Sequence, residues 1–294
     1  MSGGRVAAVL LAAALFGTTG TAQALGPSST TPLGVGAARL LVGGLALLLV
    51  VRAGPGVLAL WRTPTGLLAG FCTAAYQVCF FAGVDRAGVA IGTLVAIGSG
   101  PVLTGLLAVV VLRERPSRAW LVATAVCVAG LALLTGGGDR PDAIGVLLAL
   151  LAGAAYAAYT VLAKQQLDAG HAPATVMAAA FGLGGLLSAP LLLTQPVSWL
   201  ATGEGVALAA YLGLVTVTLA YLLFVRGLAV LPAGPVTTLV LAEPVVATAL
   251  GLVVLHERLD ALGVLGVVLV LAGLLVQGRS GRLRPIPPTS EEQP

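Results

Sequence analysis

One carboxylate, Glu243, stands deep inside an apolar run, Leu239–Arg258, that reads LVLAEPVVATALGLVVLHER and that a charged cluster, His256, Glu257 and Arg258, closes. It falls about ten residues into a span that starts near Ala233, which is about 15 Å at the rise of an α-helix and close to the centre of a bilayer. An acid at that depth costs a few kcal/mol or more and faces a cavity or a partner. Pro244 follows it, removing a backbone donor and disfavouring helical geometry at Glu243 itself. The pair offers proton uptake and release, or capture of an amine. The alternative is a structural carboxylate satisfied by a neighbouring helix.

Other groups could share that chemistry. Arg39, about five residues from the outer end of its apolar run, forks onto a substrate carboxylate, pairs with Glu243, or snorkels to the interface. Gln77 is the only amide deep in its span, and Thr73 shares its helix face at i−4. It reads as a cavity wall or as one half of an interhelical hydrogen bond. Tyr156, Tyr159 and Thr160 fall on one face at i, i+3, i+4, and Thr218 and Tyr221 do the same further on. Aromatic bodies with hydroxyl tips suit a metabolite pocket, and equally suit packing or an interfacial belt.

These residues need elements to position them. A shift of 143 residues lays Ala96–Arg115 on Leu239–Arg258: Pro101 falls on Pro244, Leu112 on Leu255, Glu114 on Glu257 and Arg115 on Arg258. Ala129–Gly130–Leu131 then meets Ala272–Gly273–Leu274, with no gap. The chain is an internal duplication. The copies differ where Glu243 faces Gly100, and Pro101 and Pro244 mark equivalent candidate hinges.

With 58% hydrophobic residues, 9% charged residues and a mean hydropathy of +1.05, the surface does not suit water. Ten apolar stretches fit membrane spans: 5–24, 34–51, 65–84, 88–111, 118–135, 142–163, 173–194, 205–225, 233–255 and 260–277. The fold class is an all-α integral membrane protein of two inverted five-helix repeats, 5–135 and 142–277, followed by a disordered cytoplasmic tail, 278–294. Met1–Arg5, the apolar Val6–Phe16 and Ala22-Gln23-Ala24 imitate a signal peptide. Its repeat partner Gly145–Leu162 is internal, however, and the stretch is read as a retained span.

Orientation follows from the basic residues. With the N-terminus inside, Arg5, Arg52, Arg62, Arg113, Arg115, Arg118, Lys164, Arg226, Arg279, Arg282 and Arg284 lie on the cytoplasmic side, and only Arg86, Arg140 and Arg258 outside. Both termini are expected in the cytoplasm. Five spans per copy make the second copy enter the membrane opposite to the first, which puts a site between the copies near the midplane. Glu114–Arg115 and Glu257–Arg258 read as interfacial stops.

The ten spans, the duplication, and the motifs Leu15-Phe16-Gly17-Thr18, Arg39, Pro101, Leu112-Arg113-Glu114-Arg115, Ala242-Glu243-Pro244 and Leu255-His256-Glu257-Arg258 resemble the EamA-like transporters of the drug/metabolite transporter superfamily, over residues 5–277. The resemblance implies secondary transport of small metabolites, often export of amino acids or drugs, across the plasma (inner) membrane. It also implies a central cavity among spans 1–4 and 6–9, and adds Thr18 to the candidate substrate-binding residues. Phe16 stands where many members carry tryptophan, keeping an aromatic face and losing an indole donor.

The expected partners are a small-molecule substrate, the lipid bilayer, and protons as the candidate coupling ion. The net charge of +4 comes from loop arginines, and no basic stretch interleaves with aromatics, so nucleic acid is not among them. No cofactor or metal is expected: Cys72, Cys79 and Cys127 sit in apolar runs and no Cys/His cluster has ligand spacing. An enzyme is disfavoured by the absence of HExxH or a Ser/His pair, and an ATP-driven pump by the absence of a P-loop. A channel or membrane scaffold is the remaining alternative.

Overall fold

The computed structural model describes residues 3–135, 142–256 and 260–280. The described residues form helices and no strands. In chain order they are α1 (Gly3–Ala24), α2 (Pro32–Val50), α3 (Pro55–Trp61), α4 (Pro64–Ala87), α5 (Val89–Val111), α6 (Arg118–Thr135), α7 (Ala143–Asp168) and α8 (Pro173–Ser188). There follow α9 (Gly203–Tyr211), α10 (Ala220–Leu228), α11 (Ala233–Val240), α12 (Glu243–Val254) and α13 (Ala261–Ser280). Eight helical stretches are long and apolar enough to cross a membrane, and Arg118–Leu134 and Ala261–Gln277 are shorter apolar helices. Asp139, Arg140, Glu257, Arg258, Arg282, Arg284 and the tail beyond Ser280 lie outside the described residues.

Local chemistry sets the helix starts. Thr31 precedes Pro32 and accepts from Gly34 N–H at 3.2 Å, and Thr63 precedes Pro64 and accepts from Gly66 N–H at 3.0 Å. Asp142 caps α7 through Ile144 N–H at 2.9 Å and pairs with Arg86 at 3.5 Å. Each cap satisfies a donor that the first helical turn leaves free, and proline at N1 gives up a hydrogen bond that does not exist there.

The outer surface is apolar. Leu193, Leu49 and Val110 are 89%, 78% and 78% exposed, a surface that suits lipid chains. Inside, contact depends on small residues. A Cβ on Gly130 would meet Gly266 O at 2.7 Å, and one on Gly266 would meet Gly130 O at 2.6 Å, so α6 and α13 pack backbone to backbone. Cys127 Sγ donates to Val270 O at 3.5 Å in the same seam.

Several spans depart from the sequence-based boundaries. The run expected at 173–194 stops being α-helical at Ser188 and continues as a 3₁₀ turn, Ala189–Leu193. The run expected at 205–225 starts earlier, at Gly203, and contains a π-helical segment, Leu212–Leu219. Thr218 stabilises it by donating to Gly213 O at 3.2 Å, five residues back, and to Gly43 O of α2 at 3.1 Å. The run expected at 233–255 is two helices, separated at Leu241–Ala242. Their N–H groups bond three residues back, to Thr238 O and Leu239 O, and Pro244 has no N–H with which to continue the α ladder. α5 by contrast runs unbroken through Pro101. The helix α3, between α2 and α4, was not foreseen. α13 extends to Ser280, so the first three residues assigned to the tail, 278–280, are helical.

Candidate functional site

Glu243 is the first residue of α12, where free N–H groups and the helix dipole favour negative charge. α1 comes very close here. A Cβ on Gly17 would stand 2.7 Å from Glu243 O and 2.8 Å from Val246 Cβ, so only glycine lets α1 reach the break.

Two spaces meet at this residue. A cleft of about 430 Å³ lies between α1, α5, α6 and α12. Its lining runs from Glu243 to Leu255 along α12 and from Gly20 to Ala24 along α1, with Thr93 and Thr248 on its walls, so Glu243 marks its deep end. A smaller cavity is lined by Tyr76, Pro101, Tyr156, Thr237, Val240 and again Glu243. Ile97 and Glu243 belong to both. The carboxylate is half-buried by surface yet deep in the bundle, because the surface it keeps faces these spaces.

A chain of rings leads away from it. Tyr76 and Tyr156 have centroids 5.8 Å apart, Tyr156 and Tyr159 5.3 Å, Tyr159 and Tyr221 6.3 Å, and Tyr221 and Phe16 4.9 Å. Phe181 packs on Tyr221 at 3.9 Å. The Tyr156 and Tyr159 hydroxyls, Thr160 Oγ1 and Arg39 Nε are buried with no hydrogen-bond partner in the protein. Tyr156 lies near Thr160 and Tyr159 near Tyr221, but none of these contacts has hydrogen-bond geometry. Buried polar groups left without partners are costly, and four of them around one region suit a site that a polar ligand or water fills.

No ion pair within 4.0 Å joins Arg39 and Glu243, so they do not form a closed salt bridge. Gln77 is buried, its Nε2 pressed against Gly36, one helical turn before Arg39 on α2. Glu243, Tyr156 and Pro101 therefore line one space directly, with Arg39, Tyr159 and Tyr221 in the surrounding shell.

Two candidates are otherwise engaged. The Thr218 hydroxyl donates to backbone carbonyls of α2 and its own helix. Thr18 donates to Leu15 O at 2.7 Å and accepts from the Tyr211 hydroxyl at 2.9 Å. Sequence reasoning missed Tyr76, Thr237 and Thr248. Tyr76 precedes Gln77, and the i, i+4 aromatic pair Tyr76 and Phe80, whose rings stack at 5.8 Å, was the signal available for it.

Glu114 is more than an interfacial stop. Both its carboxylate oxygens accept from Ala233 N–H, at 3.2 and 3.1 Å. Burial pushes the carboxyl above the ordinary carboxylate value, while the Ala233 N–H and the Lys164 charge pull it back.

A multi-pass helical membrane protein with a charged, aromatic-lined interior is the class that this fold and site define. The model of the EamA-like transporter family matches residues 5–136 and 143–278. The chain is also 42% identical over 271 residues, 91% of each protein, to "Uncharacterized transporter YwfM" of Bacillus subtilis (strain 168). A protein of Clostridium kluyveri named "Uncharacterized transporter" is 23% identical over 180 residues, 58% of each chain. A crystal structure at 20% identity superposes with a TM-score of 0.79, covering 95% of this chain and 97% of that one, a likeness of fold alone. The chain belongs to the EamA-like transporter family, and is a membrane transporter homologue.

Proposed function

We propose that the chain is a secondary transporter that exports a small amine-bearing or zwitterionic metabolite, an amino acid or a cationic drug, by alternating access. In this reading ten spans form two inverted five-helix repeats, the shorter helices α6 and α13 being the fifth span of each. The observation that carries it is Glu243, which stands on the wall of both the open cleft and the inner cavity. A carrier needs one binding group reachable from alternate sides.

Matched geometry supports the inverted repeat. Arg113 and His256 are equivalent in the duplication, and both have φ 55°. Leu112 N–H bonds to Ala108 O and Leu255 N–H to Gly251 O, again equivalent pairs. With both termini in the cytoplasm of a plasma-membrane protein, the cleft toward Ala24 and Leu255 opens outward.

The separated charges fit a ligand that brings its own opposite charges, with Glu243 on the amine and Arg39 on a carboxylate. The Tyr156 hydroxyl supplies polar wall, with the Tyr159 ring packed against it. Proton exchange at Glu243 is the coupling step that this arrangement suits. A counterflow screen in proteoliposomes, with amino acids and cationic drugs side by side, tests the reading. A carrier shows trans-stimulation by unlabelled substrate; flux without it supports the channel alternative.

A further inference from the structure

Transport by alternating access needs the site shut at one end while the other is open. At the Arg115 end the structure holds a contact between the end of α5 and the start of α11. α5 ends at Val111, and Arg113, with φ 55°, turns the chain so that Glu114 N–H bonds back to Ala108 O at 3.1 Å. The turn carries the Glu114 carboxylate across to α11. There both oxygens accept from Ala233 N–H. α11 follows Pro232, which supplies no side-chain cap, so this helix takes its cap from a residue of another span.

The contact is backed by a seam. Trp120 Nε1 donates to Thr238 Oγ1 at 3.1 Å, and Thr124 and Thr238 share a hydrogen bond of 2.8 Å. Glu114, Trp120, Pro232, Gly234 and Pro235 line a small pocket at the mouth, with Arg115 beside them. Lys164 and Asp168 of α7, bonded to each other at 2.7 Å, are near enough for their charges to act on the same carboxylate. α11 then runs from Ala233 to Thr237 and Val240, which line the cavity beside Glu243. One short helix thus joins Ala233 to the wall of the site.

We propose that Glu114 is a gate latch: its carboxylate holds the start of α11 against the end of α5 through Ala233 N–H, and its release opens the site toward Arg115. The role rests on the transport reading above; the test does not, because it reads accessibility without a substrate. Glu114 acts by positioning α11.

The experiment compares two reporter cysteines in membrane vesicles of each sidedness, using an impermeant maleimide. Thr237→Cys reports the inner path and Thr248→Cys the open cleft. The parent chain, with Cys72, Cys79 and Cys127 unchanged, sets the background. Glu114→Ala is expected to raise Thr237→Cys labelling from the Arg115 face about five- to tenfold, as loss of one hydrogen bond would allow. It should also lower Thr248→Cys labelling from the opposite face. Glu114→Gln keeps an acceptor oxygen and should label like the parent. Unchanged labelling in Glu114→Ala overturns the latch. So does a rise at both reporters together, which marks general loosening, and so does a Glu114→Gln variant that opens as Glu114→Ala does.

Discussion

Cys127 and Val270, whose Sγ and O atoms lie 3.5 Å apart, are separated by 143 residues, the offset that relates the two copies of the duplication. A residue that touches its own repeat partner lies near the axis relating the copies. The neighbouring contacts obey the same relation: Gly130 meets Gly266 O, and Gly273, the partner of Gly130, meets Ala123 O, the partner of position 266. In the proposed fold the axis passes through the α6–α13 seam, so Val270→Cys should form a disulfide with Cys127 under mild oxidation. Cleavage in the 136–141 connection would then leave two fragments joined until a reductant is added. Separation of the fragments without reductant would place the seam elsewhere.

The proposed topology predicts labelling by side. A cysteine at Asp139 should react with impermeant reagents from outside the cell, and one at Arg62 should not. The reverse pattern, or no difference, refutes cytoplasmic termini.

Much of the fold was legible because its signals are periodic. Twenty-residue apolar runs, proline and threonine at helix starts, and the gap-free repeat each leave a mark in the sequence. Glu243 was legible because one carboxylate in a long apolar run has few explanations. Which face of each helix points inward was not. A helix bordered by lipid on one side and apolar neighbours on the other has no polar face to reveal its orientation, and so Tyr76 was passed over beside Gln77. The π-helical turn at Leu212–Leu219 left no trace because it depends on Thr218 reaching Gly43 of another helix. The reach of Glu114 to Ala233 spans 119 residues, and the charges of the Leu-x-Glu-Arg ending gave only its place at the end of a span.

Tyr156→Phe tests the unfilled hydroxyls. The Tyr156 hydroxyl has no protein partner, so removing it should leave thermal stability unchanged or slightly raised. If it bonds the substrate, apparent affinity should fall about threefold to tenfold, the worth of one neutral hydrogen bond. Lower stability with unchanged affinity would show that the hydroxyl serves the fold.

Glu243→Gln keeps shape and removes charge. A substrate-contact role predicts weaker binding at every pH, by about tenfold or more for a lost charge-assisted bond. A proton-carrier role predicts retained exchange with lost accumulation driven by a pH gradient. Normal transport at every pH and gradient would make the acid structural.

Glu114 should leave a signature in the pH dependence of stability. Burial raises its carboxyl above 4.5, with the Ala233 N–H and Lys164 opposing the rise and Asp168 adding to it. A group whose folded value is raised contributes stability that is present in full below the unfolded value and is lost as pH rises through the folded one. The loss therefore begins near 4.5 and ends above the raised value. Glu114→Gln does not titrate and keeps an oxygen for Ala233 N–H. Its melting temperature relative to the parent should thus increase from acid toward neutral pH, then level off. Scanning fluorescence of both proteins in detergent across that window measures the gap. A gap that narrows with rising pH would mean that the hydrogen bond outweighs burial, and that the charged form is the one the closed end prefers.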